Sequence, residues 1–214
     1  MTTWHLNSDK PLYTRHPEPR EWISAYGVLA FSDATLRRSI AVHEAGHAVL
    51  DFAFGIPVAE IRLFEDLGKG AGERPAAAWV RHGGQWSVPY VRYVAMCAAG
   101  ERAQDRWMRE MGLWSPERAW VAERSAADDR QCVVDAMRTH MNREVTFGGR
   151  VPGALDYATV QAAADAALAP LWDRVLRLAA AVDEHGVLTG RQAAGHARMT
   201  HLAIPCDPPG AVAA

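Results

Sequence analysis

The sequence predicts a mainly α (α+β) fold, a helical domain carrying a small β-sheet or hairpin, on three observations. Most long segments have apolar residues spaced three and four apart, the period of a helix buried on one face. Only two short stretches, VAEIRLF (58–64) and AAAWVRH (76–82), suit strands, and glycines and Pro75 separate them as in a two- or three-stranded sheet. The 214 residues are 49% hydrophobic and 22% charged, enough for one substantial core.

Residues 1–31 mix Pro, Trp, Tyr and charge without sustained periodicity and are expected to form an arm on a domain spanning 32–200. Ser32 or Asp33 can cap a helix through Leu36, Ile40, His43, His47, Leu50 and Phe54, closed by Gly55 and Pro57. After the strands, 88–110 is helical, with Gly100 an interior weak point. Ser115 and Pro116 open a helix running to 141, and glycines 148, 149 and 153 with Pro152 mark a loop. Residues 155–184 form an Ala-rich helix kinked at Pro170. Thr189 and Gln192 make a capping box for a last short helix, and 201–214 is a frayed tail.

The charge of −2 carries no electrostatic footprint for nucleic acid or an anionic membrane. The N-terminus lacks the apolar core of a signal peptide, and no window reaches membrane-spanning length, so a cytoplasmic location is expected. Cys97, Cys132 and Cys206 are too few and too scattered for a disulfide framework.

Chemistry concentrates in His43-Glu44-Ala45-Gly46-His47. A helix places residues four apart on one face, so both imidazoles can hold one metal ion with Glu44 beside it as general base. Gly46 permits a close backbone approach. A hydrolytic zinc site needs a third protein ligand and an open position. Asp129 suits that role because it falls on the apolar stripe of Ala122, Ala126, Val133 and Ala136 or Met137, where an acid needs a partner; a buried salt bridge is the alternative. Asp128 groups instead with Arg124, Ser125 and Asp135 on a polar side.

Glu101 and Asp105 compete, since Val94, Cys97, Glu101, Asp105 and Met108 trace one face. Asp105 is expected to orient a ligating histidine rather than bind metal, and Glu101 to sit at a solvated edge. His82 follows an active-site strand but, like His140, His185, His196 and His201, shows no paired spacing. Trp79, Trp86 and Tyr90 are candidates to line a pocket.

AVHEAGHAVL (41–50), MCAAGERAQDRW (96–107) and SAADDR (125–130) together resemble the peptidase domain of the FtsH family of ATP-dependent zinc proteases. The resemblance extends over about residues 32–195 and implies a zincin-like metallopeptidase domain. In it Zn2+ is held by His43, His47 and Asp129, with Glu44 as base. Within the third motif Ser125, Ala127 and Arg130 stand where the family carries Gly, Ser and Leu, and Gln104 replaces the first of its paired acids. No GxxxxGKS/T phosphate loop occurs in the chain. The expected substrates are therefore peptides, flexible segments or a small amide, with a homo-oligomer or a separate ATPase as partner. A metal-dependent enzyme for a specialised small molecule and a non-catalytic metal-stabilised binding module are the alternatives.

Overall fold

The computed structural model describes residues 3–8, 12–65, 78–149 and 151–202. The long central helix is α2 (Asp33–Phe54), following a short α1 (Ala25–Leu29). The Ser32 hydroxyl accepts the Thr35 N–H at the start of α2, and Gly55 ends it at φ 77°, a left-handed geometry that glycine adopts without strain. From Ala41 through Phe52 only His43 is not buried, so α2 is enclosed nearly all round rather than amphipathic. It runs between α4 (Ala99–Glu110) and α8 (Trp172–His185).

The sheet comprises β3 (Val58–Leu63), β4 (Ala78–His82) and β7 (Val187–Thr189) in the order β4-β3-β7, antiparallel throughout. Trp79 lies opposite Arg62, and Leu188 opposite Ile61. The third strand has only three residues, too few for an alternating pattern to announce it. Residues 76 and 77, the start of the expected second strand, lie outside the described residues, as do the separating glycines 68, 70 and 72 with Pro75. So does most of the expected tail, from 203 onward; His201 is described and bonds to the Val58 carbonyl at 2.9 Å.

Three segments expected as continuous helices are interrupted. Residues 88–110 divide at Ala98 into α3 (Tyr90–Cys97) and α4, next to the weak helix former Gly100. Residues 116–141 divide at Ala126 into α5 (Pro116–Ser125) and α6 (Ala127–Met141). Residues 155–184 yield β6 (Leu155–Asp156), α7 (Tyr157–Leu168), a 3-10 turn containing Pro170, and α8. Proline removes a backbone donor and crowds the preceding turn, which accounts for the last break. The final helix, α9 (Gly190–Ala197), has the expected Thr189–Gln192 capping box.

Residues before α2 are tied to the domain by buried groups. They include β1 (His5–Leu6) and β2 (Tyr13–Thr14), an antiparallel pair. The Trp120 indole N–H donates to Asn7 Oδ1, Trp22 packs edge-on against Trp120 at 5.0 Å, and the Arg15 N–H donates to Glu123 at 2.6 Å.

The crossing of α2 and α4 is built from small residues. A Cβ placed on Gly46 would lie 2.7 Å from both the Ala103 Cβ and the Ala99 carbonyl oxygen, inside van der Waals contact with rigid atoms. Gly46→Ala should therefore lower stability by about 1–3 kcal/mol despite alanine's better helix propensity. Urea unfolding measures this; an unchanged midpoint would mean the helices separate without cost.

Candidate metal centre

His43 and His47 lie one turn apart on α2, and Asp129 enters from the first turn of α6, where the helix N-terminus favours a carboxylate. The three expected residues converge. His43 Nε2 and His47 Nε2 are 3.1 Å apart, and Asp129 Oδ2 lies 3.2 Å from the first and 3.3 Å from the second. Tetrahedral ligation at roughly 2.0–2.1 Å puts ligand atoms about 3.3–3.4 Å apart. The triangle is within a few tenths of an ångström of that spacing, so these residues fit one small divalent ion. Imidazole and carboxylate donors suit zinc and other first-row metals alike.

Two backbone features shape the space. A Cβ on Gly100 would fall 2.3 Å from His47 Nε2 and 2.4 Å from His43 Nε2. Any side chain there would press on the donor atoms themselves, so the residue that weakens the helix is the one that accommodates the imidazoles. His47 Nδ1 donates to the Met96 carbonyl at 2.8 Å, which leaves Nε2 as the nitrogen available to a metal. Met96 lies in the last turn of α3, next to the Ala98 break.

Neither helical acid has its expected role. Asp105 accepts from the Arg109 guanidinium at 3.0 Å and the Trp114 indole at 2.8 Å, and pairs with Arg102. It lies past the point where α4 meets the histidines, so a main-chain carbonyl takes the orienting part instead. Glu101 is not at a solvated edge but 2% exposed, accepting from Arg130 Nη2 at 2.6 Å and Gln161 at 2.8 Å. Arg130, also 2% exposed, follows Asp129 directly and donates to the Tyr13 carbonyl as well. The alternation of Asp129 and Arg130 on α6 thus holds the candidate ligand from one side and the buried pair from the other.

A half-open cleft of about 630 Å³ runs over the triad. Its walls include Glu44 and Ile40 of α2, Trp79 and Val80 of β4, Trp86, and Tyr93 and Cys97 of α3. Trp79 and Trp86 are there as expected; Tyr93 takes the place expected of Tyr90. Tyr93 is stacked on Trp86 at 5.9 Å. Burial pushes the Cys97 thiol well up, which leaves it an inert wall. Asp128 is exposed at the cleft margin, whereas the Asp129 side chain is 30% exposed.

The site also contains a pair that spacing did not single out. Asp51, a further turn along α2 from His47, is 0% exposed and meets the His82 ring at 3.0 Å. The repeat His43, His47, Asp51 is a four-residue period, a signal present in the sequence but obscured by the neighbouring apolar run.

Burial works against charge on His47, but the Asp129 and Glu44 carboxylates and the Met96 carbonyl outweigh it and raise its pKa to about 10. Burial likewise opposes charge on Asp129, yet His47 and His43 hold it below the usual carboxylate range. Glu44 is raised by its burial, partly offset by the two histidines.

Compared with protein-family models and with curated proteins, the chain matches none. Among the described residues no helix is long and apolar enough to cross a membrane.

Asp129→Ala should abolish stoichiometric metal uptake, whereas Asp128→Ala should leave it near the parent value, as measured by metal analysis after dialysis. Equal occupancy in both would remove Asp129 from the ligand set. A second expectation concerns pH. In metal-free protein the raised His47 contributes stability that is fully present below 6.5 and lost as pH rises through about 10. The lowered Asp129 contributes stability present above 3.8 and lost on acidification. Thermal melting of metal-free protein should thus be highest between about pH 4 and 6.5 and decline toward pH 10. Metal added in excess should reverse that alkaline slope, because ligation requires deprotonated imidazole.

Proposed function

We propose that this chain is a zinc-dependent metallopeptidase or related amide hydrolase, with His43, His47 and Asp129 as ligands and Glu44 as general base. The observation that carries the reading is the three-donor triangle at tetrahedral spacing with a carboxylate next to it in an apolar-walled cleft. Among the described residues three donors converge, and three ligands leave one position open, the arrangement of catalytic rather than structural zinc. This favours an enzyme over a metal-stabilised binding module. The likeness of three short motifs to the FtsH peptidase domain is compatible with it.

Zinc bound there supplies Lewis acidity, acidifying a water molecule and polarising the substrate carbonyl. Glu44 is 8% exposed, and burial raises its pKa, which suits a group that must take a proton and return it to the leaving amine. The Met96 carbonyl holds His47 with Nε2 facing the cleft, and Asp129 is kept ionised by the imidazoles.

Sheet order bears on how substrate lies. Both edges of β3 are occupied, by β4 and β7, so β3 cannot receive an added strand. Among the described residues β4 is at the sheet edge and borders the cleft. An extended peptide pairing with β4 would gain main-chain hydrogen bonds while passing over the triad. The Trp79, Trp86 and Tyr93 walls favour large apolar side chains. A small enclosed ligand is less well served by a half-open cleft beside a strand edge.

The test is cleavage of an internally quenched peptide library by zinc-loaded protein. Parent protein should cleave; Glu44→Gln should lose at least about 100-fold in turnover with its zinc retained. Full turnover in that variant would show that Glu44 is not the base.

A further inference from the structure

We propose that His82 is a further catalytic residue, donating a hydrogen bond from Nδ1 to the oxygen that gains negative charge in the transition state, with Asp51 as its positioning residue. The assignment rests on the hydrolase reading above and adds to it the group that stabilises the oxyanion.

His82 closes β4, the strand bordering the cleft, and its ring is packed edge-on against Trp86 at 5.3 Å. Its Nε2 meets Asp51 Oδ2 at 3.0 Å. That contact leaves Nδ1 as the ring's other polar atom, on a side chain 30% exposed among the residues lining the cleft. Asp51 follows His47 by four residues on α2, so the carboxylate that holds the imidazole comes from the next helical turn after a candidate ligand. His82 and the triad line the same cleft, so a substrate seated there faces both.

Burial of Asp51 favours an electrically neutral pair. The residue is 0% exposed, and its Oδ1 is buried without a hydrogen-bond partner. An ionised carboxylate with one oxygen unsatisfied and only the His82 ring on the other is costly in that position. An electrically neutral pair avoids the cost: one hydrogen lies between Oδ2 and Nε2, and a second is carried by Nδ1. In that neutral form, which the assignment requires, Nδ1–H is a donor wherever the shared hydrogen resides. Desolvation also raises Asp51, in the same direction. The contribution is a hydrogen bond, strengthened as charge develops on the substrate oxygen, and requires no proton transfer.

A purely structural role, in which His82 only satisfies a buried acid between α2 and β4, makes a different forecast. His82→Gln keeps an amide donor for Asp51 and deletes Nδ1. The experiment uses the zinc-loaded 214-residue chain, with zinc content and thermal melting confirming that each variant is folded. The probe is N-phosphoryl-Leu-Trp, a tetrahedral anion, titrated calorimetrically alongside turnover of the peptide library. We expect zinc content unchanged, probe affinity at least about tenfold weaker, and turnover reduced about 100-fold with little change in KM. Asp51→Asn, with His82 in place, should weaken probe binding by a smaller factor at full zinc content. Probe affinity within twofold of the parent in a fully loaded His82→Gln protein would overturn the assignment and leave the hydrolase reading standing. Parent protein that takes up no zinc would overturn both.

Discussion

The candidate centre depends on how closely α2 and α4 approach. Gly46 removes the side chain that would collide with Ala99 and Ala103, and Gly100 removes the one that would displace His43 and His47. These are two sides of one crossing: the first glycine lets the helices meet, and the second gives the imidazoles room where they do. Helix propensity argues against both residues, at about 1 kcal/mol each relative to alanine. Their presence at the contact is explained by packing and by the site rather than by local stability.

Asp129 must arrive from a different element, and the structure fixes it through its neighbour. Arg130 is buried against Glu101, one residue beyond Gly100, and reaches the Tyr13 carbonyl. The element that backs the histidines therefore also anchors the helix carrying the candidate third ligand. An isolated buried charge is unfavourable, but Arg130 and Glu101 are paired, with Gln161 satisfying the second carboxylate oxygen. Glu123 links the same region to the chain before α2 through the Arg15 N–H. Displacing the early strands would thus disturb the support of Asp129 without touching any ligand atom.

Much of this was legible before any fold was known. Four-residue spacing placed His43 and His47 on one face, and helical phase singled out Asp129 over Asp128, because an acid on an apolar stripe needs a partner. The face of Val94, Cys97, Glu101, Asp105 and Met108 is buried throughout, including Glu101, which was expected at a solvated edge. Neither acid takes the role expected of it: Glu101 meets Arg130 of α6, a partner that periodicity could not assign, and Asp105 meets Arg109 one turn on along α4 and the Trp114 indole beyond the helix. The break at Ala98 falls beside the expected weak point Gly100, but the one at Ala126 was invisible, since small apolar residues continue a helical pattern whether or not the backbone does.

The sequence by itself determined the helical class, the caps of α2 and α9, and three candidate ligands, all set by local spacing and by the mismatch of an acid among apolar neighbours. Tertiary structure decided the rest. It closed the triad to 3.1–3.3 Å, made a main-chain carbonyl the partner of His47, left β4 at the sheet edge, and joined Asp51 to His82. The physical reason is that spacing along a chain specifies which face a residue occupies. Which group it meets there depends on helix crossings and strand order, and these are set by contacts between residues distant in sequence.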